Sequence, residues 1–382
     1  MLGRTNAVYA ESTETASLSF ESESILTPSS SDIWKIEYIN NVYFVFLDNF
    51  SVLFGTDISS LKILQKEGSN LLATHVVYKD ETYAFISTSV TLSSSGTQYF
   101  NVYISTDLID FDVITISNNI LKGTDLFGIF LSSTKKIIVM TQRCLGIFDS
   151  FNEMKEGTAS IVEFTYISIN STKDSKNQKR KTRILNDRIF TGYDGDSSPY
   201  VITLDGNKET IVDQPAIIHG KFYFCNSTYP STTIIYYSLN GVDYLKIAEV
   251  DIFFKSIELV EYEDGAIGIL AKTNDTYGFA LVEANSEISN ALSNLVDGKG
   301  IIGTINCFCN VGMYTYLGCT GGVIMKTWVD YSGKGNTPNV TVLKTLSAKQ
   351  ALNESKSYTN EQIAALEERV AALEALTTIS TE

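Results

Sequence analysis

The segment Asn40-Asn41-Val42-Tyr43-Phe44-Val45-Phe46 is an amide-bearing turn followed by a run of β-branched and aromatic residues. Runs of the same kind occur at Tyr83-Ala84-Phe85-Ile86 and at Lys221-Phe222-Tyr223-Phe224. Short runs of this composition, bounded by Asn, Asp and Gly, are typical of antiparallel β-strands joined by tight turns. The sequence therefore predicts a β-rich protein.

The turn before the strand recurs along the chain at a nearly constant spacing. Its copies are Asn40-Asn41, Asp80-Glu81, Lys135-Lys136, Asn186-Asp187, His219-Gly220, Asp264-Gly265 and Val311-Gly312. Six steps separate the first copy from the last, which gives a period of about 45 residues. A period of this length in strand-rich sequence is the size of one propeller blade.

A second series of polar turns has the same period. Its members are Asp57, Asp107, Asp149, Asp194, Asn240, Asn285 and Asp330. Because two independent series share one period, we predict an all-β fold: a seven-bladed β-propeller of four-stranded antiparallel blades over residues 32–346. Six or eight blades remain alternatives at this stage.

The two ends of the chain depart from the repeat. Residues 1–31 are rich in Ser, Thr and Glu, and the alternation Ser17-Leu18-Ser19-Phe20 is compatible with one strand. We interpret this segment as an N-terminal arm, or as a strand that closes the ring by joining the last blade. Residues 347–382 change to a helical period and are predicted to form a C-terminal helix with a short coiled coil.

The helical seam is the predicted site of oligomerisation. Apolar residues fall at heptad spacing, with one g-position and one e-position charge able to pair between chains. These residues are Ile363, Leu366, Val370 and Leu373 in the seam, with Arg369 and Glu374 beside it. About two heptads are strong, so the seam either meets copies of itself or packs on the propeller.

The net charge argues against nucleic acid and membranes as partners, and one basic segment departs from it. The formal net charge is −15, and a surface this acidic repels phosphate backbones and anionic lipids. We therefore expect neither nucleic-acid binding nor membrane insertion. One basic segment opposes the trend and is either a solvated loop or a docking loop for an acidic partner. Its residues are Lys173, Lys176, Lys179, Arg180, Lys181 and Arg183.

The sequence offers little chemistry for a cofactor or a metal. The five cysteines follow no disulfide framework, and Cys307 and Cys309 alternate as small apolar residues of one strand face would. The histidines His75 and His219 are isolated, so we expect no metal site. The glycine-rich stretch 298–303 leads into a strand instead of a helix, which argues against nucleotide binding.

Catalysis is also not expected. A sialidase-like centre needs several arginines from different blades, and the chain has six arginines, three of which, Arg180, Arg183 and Arg188, lie close together in the sequence. A pair of carboxylates for glycoside hydrolysis is left open, because acidic residues are plentiful. We therefore predict a non-enzymatic protein without catalytic residues.

Some of the second-series turns resemble the Asp-box turn of sialidase-like propellers. Ser105-Thr106-Asp107 is followed by Phe111, Leu239-Asn240-Gly241 by Tyr244, and Gly55-Thr56-Asp57 by Leu61. The resemblance implies a carbohydrate-binding or glycan-active propeller, which is the alternative function. A plain β-hairpin without such a lineage would give the same residues.

The C-terminal stretch 357–374, Ser-Tyr-Thr-Asn-Glu-Gln-Ile-Ala-Ala-Leu-Glu-Glu-Arg-Val-Ala-Ala-Leu-Glu, resembles the oligomerising coils of tailed-bacteriophage structural proteins. The predicted propeller is similar in architecture to those of phage tail fibres. The resemblance implies a virion component that is assembled in the bacterial cytoplasm, forms homotrimers and contacts other virion proteins. It also implies attachment to the host surface, with a surface glycan as a further partner.

Overall fold

A computed structural model describes residues 19–92, 97–123, 126–165, 167, 182–191, 200–211, 216–218, 221–228, 232–254, 256–261, 267–272, 277–282, 296–297, 304–312 and 314–330. Six sheets of four consecutive antiparallel strands form six blades, numbered here in chain order. A further four-stranded sheet, the composite sheet, combines strands from both ends of this region.

The bounds of the strands are as follows. The chain opens with β1 Ser19–Leu26. Blade 1 contains β2 Ile33–Ile39, β3 Val42–Leu47, β4 Val52–Gly55 and β5 Lys62–Ile63, and is followed by a ribbon of β6 Gln65–Lys66 and β7 Ser69–Asn70. Blade 2 contains β8 Ala73–Lys79, β9 Thr82–Leu92, β10 Gln98–Ser105 and β11 Asp112–Ser117. Blade 3 contains β12 Leu126–Leu131, β13 Ile137–Thr141, β14 Cys144–Phe148 and β15 Ser160–Glu163.

The second half of the chain continues the pattern. Blade 4 contains β16 Arg183–Leu185, β17 Arg188–Phe190, β18 Tyr200–Thr203 and β19 Lys208–Thr210. Blade 5 contains β20 Ala216–Ile218, β21 Lys221–Thr228, β22 Thr232–Ser238 and β23 Leu245–Val250. Blade 6 contains β24 Ser256–Glu261, β25 Ile267–Lys272, β26 Tyr277–Val282 and β27 Val296–Asp297. The composite sheet contains β28 Ile305–Val311, β29 Tyr314–Cys319, β30 Val323–Asp330 and β1.

The composite sheet corrects the predicted architecture. The prediction of seven blades within residues 32–346 is wrong. Six blades are built from consecutive strands. The last unit supplies three strands, and its outer edge pairs with β1 from Ser19 opposite Asp330 to Leu26 opposite Val323. Residues 19–26 therefore supply the fourth, outer strand of this sheet.

The fold prediction also included a C-terminal helix with a short coiled coil. Residues 331–382, with the seam residues Ile363, Leu366, Val370 and Leu373 and the flanking Arg369 and Glu374, lie outside the described residues. In the described part of the chain the α-helix is a single short one, α1 Phe151–Glu156, capped by Ser150 and by the left-handed Gly157. Two 3-10 turns occupy Ile58–Ser60 and Thr320–Gly322.

Apolar side chains fill the spaces between adjacent sheets. The first strands of adjacent sheets contact each other, as β2 contacts β28 and β8 contacts β12, which places these strands innermost. Phe44 and Phe46 of blade 1 pack with Phe85 of blade 2, and all three are fully buried. Comparable clusters fill each junction from the composite sheet through blade 6. The fold is thus an all-β propeller whose core is divided among the junctions.

The first turn series forms the hairpins between the first two strands of the sheets. Asn40 and Asn41 have φ values of 50° and 62°, and Asp80 and Glu81 have values of 48° and 57°. Two positive φ values in succession characterise the two-residue hairpin turn that suits the right-handed strand twist. Of the seven predicted turns, His219-Gly220 and Asp264-Gly265 lie outside the described residues.

The second series follows the third strand, with one error of assignment. Asp57, Asp107, Asp149 and Asn240 come after β4, β10, β14 and β22, and Asp330 ends β30. Asp194 and Asn285 lie outside the described residues, and Asp194 falls between the second and third strands of blade 4. The turn after the third strand of that blade is the one at Asp205 and Gly206, since Gly206 has a φ of 91°.

Candidate functional site between blade 1 and the composite sheet

A crevice with a cavity volume of 270 Å³ opens at the junction of blade 1 and the composite sheet. Side chains from four strands and one turn form its walls: Ile25, Tyr43, Thr56, Asp57, Ile58, Ser59, Tyr316 and Lys326. Pockets for drug-sized ligands begin at about 300 Å³, so this crevice has room for one ring-sized group.

Two tyrosines form the floor of the crevice. The rings of Tyr43 and Tyr316 meet edge to face with centroids 5.5 Å apart, and the Tyr43 hydroxyl donates to the Tyr316 hydroxyl at 3.4 Å. Both side chains are more than nine-tenths buried. Burial, followed by the hydrogen bond to Tyr316, raises the pKa of Tyr43 far above its usual range. The Tyr43 phenol therefore stays neutral, and the two hydroxyl groups are the polar groups at the floor of the crevice.

A carboxylate is fixed at the rim of the crevice. Asp57 Oδ1 accepts from the Ser59 backbone N–H at 2.9 Å and from the Ser59 hydroxyl at 2.8 Å, which caps the Ile58–Ser60 turn. These hydrogen bonds, together with the charge of Lys326, hold the pKa of Asp57 below its ordinary value. The rim carboxylate is therefore ionised at neutral pH and has an oxygen besides Oδ1 with which to accept.

A lysine stands on the opposite wall. Lys326 of β30 places its ammonium 4.1 Å from the centre of the Tyr314 ring, which is cation–π geometry. Asp57 and Lys326 together leave the crevice with opposed charges that sum to zero. Combined with the phenols and with Ile25 and Ile58, the site offers donors, acceptors and an apolar wall, which suits a small polar ligand with an apolar face.

The residues chosen from the sequence do not form this site. Five of the basic residues, Lys173 to Lys181, lie outside the described residues, and Arg183 is half-buried in the first strand of blade 4. Sequence reasoning missed Tyr43, Tyr316 and Lys326. The available signal was the spacing of tyrosines around the hairpin turns, which places Tyr38 two residues before Asn40 and Tyr43 two residues after Asn41.

The Asp-box-like turns have the geometry that the sequence suggested, and their polar groups are engaged in the turn itself. Asp107 Oδ1 accepts from the backbone N–H of Ile109 at 2.9 Å and of Asp110 at 3.0 Å, and the Ser105 hydroxyl accepts from Leu108 N–H at 2.8 Å. Phe111 then packs on Phe85 with ring centroids 6.0 Å apart.

The blade 5 turn repeats that geometry with an amide in place of the carboxylate. Asn240 Oδ1 accepts from Val242 and Asp243 at 3.0 and 2.9 Å, and the Ser238 hydroxyl accepts from Gly241 N–H at 2.8 Å. Because the amide of Asn240 accepts the same two backbone hydrogen bonds, the carboxylate of Asp107 has a structural role in its turn.

His75 belongs to the innermost part of the fold. It is fully buried on β8, and its ring nitrogens lie 3.0 Å from the Thr74 hydroxyl and 2.9 Å from the Thr182 carbonyl oxygen. Burial, with a smaller effect of the Lys35 charge, holds the pKa of His75 well below its usual range. The ring is therefore neutral and is a core group.

Two other kinds of site are absent from the described ranges. Within them, no three His, Cys, Asp or Glu side chains gather in a way that would hold a metal ion. The same ranges contain no helix with the length and apolar character needed to cross a membrane. The five cysteines are free thiols, and burial raises the pKa of Cys309 to about 12.

Comparison with known proteins supports the fold. No protein-family model matches the chain, and no curated protein matches it in sequence. Among solved structures, YCF48 bound to D1 peptide matches with a TM-score of 0.54 at 8% identity, covering 81% of this chain and 96% of that one.

Weaker matches include the WD40 β-propeller domain of Doa1, with a TM-score of 0.42 at 12% identity over 81% of this chain and 97% of that one. Virginiamycin B lyase from Staphylococcus aureus matches with a TM-score of 0.44 at 9% identity, over 82% of this chain and 100% of that one. The fold of this chain, a β-propeller, is supported by its own sheets and by the YCF48 match, and identities this low say nothing of its activity.

Proposed function

We propose that the chain is a non-enzymatic structural component of a tailed-phage virion, a tail fibre or similar appendage, whose propeller attaches to a host surface or to a neighbouring virion protein. The observation that carries the proposal is the crevice between blade 1 and the composite sheet. Its polar groups are two tyrosine hydroxyls and a pair of opposite charges, an arrangement suited to holding a ligand in place.

The binding role follows from how the crevice is built. Tyr43 and Tyr316 come from two different sheets and hold each other by a ring contact and a hydrogen bond. A site made across a packed junction is pre-organised, and a ligand that enters it does not have to order the side chains first. Asp57 is likewise fixed by two hydrogen bonds from Ser59.

The C-terminal seam supplies the second half of the proposal. Ile363, Leu366, Val370 and Leu373 form a heptad stripe in the sequence, and copies of the chain would join through it. Several propellers on one stalk would bind a repetitive surface with increased avidity, which suits an attachment protein. The phage resemblance favours three copies.

Two measurements test this proposal. Particles of the phage that encodes the chain should contain it, as detected by mass spectrometry and by immunogold labelling of an appendage; its absence from the particles would refute the virion role. Light scattering should give an oligomer for the full chain and a smaller species for Leu366→Lys with Leu373→Lys. Glu368→Lys lies off the seam and should leave the oligomer intact.

A glycan-active propeller is the second candidate, because the turns at Ser105/Asp107 and Ser238/Asn240 share Asp-box geometry. The two candidates predict different products. An attachment protein retains a glycan unchanged, whereas a hydrolase releases reducing ends. Chromatography of a glycan panel after incubation with the full chain distinguishes them, and released sugar would favour the second candidate.

A further inference from the structure

Two pairs of tyrosines with the same geometry flank the hairpin turns of blades 1 and 2. Tyr38 and Tyr43 are cross-strand partners with ring centroids 4.6 Å apart and an interplanar angle of 46°. Tyr78 and Tyr83 are partners in the next blade, with centroids 4.7 Å apart and the same angle. In each pair the first ring is the more accessible one, and Tyr38 is 39% exposed.

The two pairs and the tyrosines at the crevice form one continuous row. Tyr43 contacts Tyr316, and Tyr316 lies 6.3 Å from Tyr314 in the composite sheet. On the other side, Asn40 Nδ2 donates to the Tyr83 hydroxyl at 3.1 Å and so links the blade 1 turn to the blade 2 pair. We call this set the tyrosine row, and its members are Tyr314, Tyr316, Tyr43, Tyr38, Tyr83 and Tyr78.

We propose that the tyrosine row binds a neutral polysaccharide chain, with sugar rings lying against the exposed Tyr38 and the half-buried Tyr78 and with one sugar entering the crevice. This inference rests on the proposed attachment function and names its ligand class. A tyrosine presents an apolar ring with a polar tip, which matches a sugar whose C–H face is apolar and whose rim carries hydroxyl groups. Asn41 Oδ1, which accepts from the Tyr38 hydroxyl at 3.3 Å, adds an amide beside the exposed ring.

The charges around the row argue against an anionic ligand. Asp80 and Glu81 are exposed in the turn between Tyr78 and Tyr83, and Asp57 stands at the crevice rim. The ammonium of the adjacent Lys79 is directed to the next blade, where it donates to the Lys135 carbonyl at 2.8 Å. A polyanion would meet these carboxylates and a chain of net charge −15, so the field opposes it.

An apolar peptide is a poorer fit to the row. In the described part of the chain, the most exposed aliphatic side chains away from β1 are in outer strands and third-to-fourth-strand turns, such as Ile109 at 72%, Leu239 at 69% and Leu245 at 56%. The row itself presents tyrosine and asparagine in place of aliphatic groups. Its repeat from blade 1 to blade 2 also suits a ligand made of repeated units.

The test measures retardation of the full chain in gels that contain dextran or yeast mannan as neutral polymers and alginate as an anionic one. We expect retardation by a neutral polymer, and a rise of about tenfold in its dissociation constant for Tyr38→Ala and for Tyr78→Ala. Tyr38→Phe keeps the ring and should bind within about threefold of the unmodified chain. Tyr200→Ala in blade 4 is the matched control and should bind normally.

The outcomes distinguish a failure of this inference from a failure of the proposed attachment function. Unchanged binding in both alanine variants, or retardation by alginate alone, would overturn the tyrosine row as a neutral-glycan site. Thermal unfolding of each variant shows whether lost binding reflects lost folding, and Tyr38→Phe gives a second comparison. A chain that is present in virions but is retarded by no neutral polymer leaves the attachment function standing and refutes this inference.

Discussion

At the scale of single residues, the polar turns are held by side-chain acceptors whose charge is incidental to the fold. Asp107 and Asn240 each accept two backbone N–H groups at the same positions of equivalent turns. Hydrogen bonds to the charged form lower the pKa of Asp107, so the unfolded chain binds a proton more readily than the folded one. The turn of blade 2 is therefore acid-sensitive and the turn of blade 5 is not.

Replacing Asp107 tests this difference. Because Asn240 already performs the same role, Asp107→Asn should keep the turn at neutral pH, whereas Asp107→Ala should lose it. As pH falls from the ordinary carboxyl value of 3.8 through the lower folded value, the unmodified chain loses stability that Asp107→Asn does not lose. Urea unfolding at pH 6 and pH 3 measures this; equal stability of the Asn and Ala variants at pH 6 would contradict the account.

His75 gives a second pH dependence, at higher pH. The folded chain holds His75 neutral, while the unfolded chain protonates it below about pH 6.5, so the unfolded state gains protons as pH falls. The free energy of unfolding should decrease below that pH by up to about 1.4 kcal/mol per pH unit. His75→Gln should remove this slope between pH 6.5 and 5. The slope should persist in the control His219→Gln, and its loss there instead would show that His75 is not the source.

At the scale of elements, residues at the hairpin turns connect blades 1, 2, 3 and 4 in succession. Asn40 of blade 1 donates to Tyr83 of blade 2, Lys79 of blade 2 donates to the Lys135 carbonyl of blade 3, and Ser133 N–H of blade 3 donates to Asp187 of blade 4 at 2.6 Å. The Ser133 hydroxyl also donates to the other oxygen of Asp187. The turn residues therefore shape the hairpin and also connect blades.

Asp187→Gly should lower the free energy of unfolding by about 1 kcal/mol, because it removes both hydrogen bonds to Ser133. Glycine accepts the φ of 57° at this position, so backbone strain does not contribute to the loss. Glu81→Gly is the matched control, since Glu81 has the same φ at the same turn position of blade 2. Denaturant unfolding of both variants checks this, and an equal effect of the two substitutions would contradict a bond between blades 3 and 4.

The pairing of β1 with β30 makes the N-terminal strand a part of the last sheet. Deleting residues 1–26 should expose the edge of β30, lower the unfolding temperature and promote aggregation, because an unpaired edge recruits other strands. Deleting residues 1–18, which ends just before β1, is the control and should change neither property. Calorimetry with light scattering measures both, and a stable monomer after the longer deletion would refute the role of β1.

At the scale of the whole molecule, local signals in the sequence predicted the repeated hairpins. They did not predict how the repeats are assembled into blades. Asn40-Asn41 and Asp80-Glu81 revealed hairpins because the turn type demands residues that tolerate positive φ. The same reasoning placed a turn at Asp194 where the equivalent one is at Asp205, since acidic residues are common in this chain. The seven-blade prediction was wrong because the last unit supplies only three strands of its own, and the period of the turns does not show how many strands each unit contributes. The strand that completes the last sheet lies in residues 19–26, within the segment that the sequence allowed to be either an arm or such a strand.

The candidate site could not be predicted from the sequence, because its residues come together only in the folded chain. Tyr43 and Tyr316 are 273 residues apart in the chain and meet only where the composite sheet packs on blade 1. The spacing of Tyr38 and Tyr43 around one turn, repeated by Tyr78 and Tyr83, was visible in the sequence. Its meaning depends on the propeller, which aligns the two hairpins on adjacent blades.

The most direct test of the account is a crystal structure of the full chain soaked with a neutral oligosaccharide that retards it in gels. We predict that sugar rings lie against Tyr38 and Tyr78 and that one sugar occupies the crevice between Asp57 and Lys326. Sugar bound at the outer strands of the blades, with the tyrosine row left bare, would contradict the central claim that this junction is the recognition site.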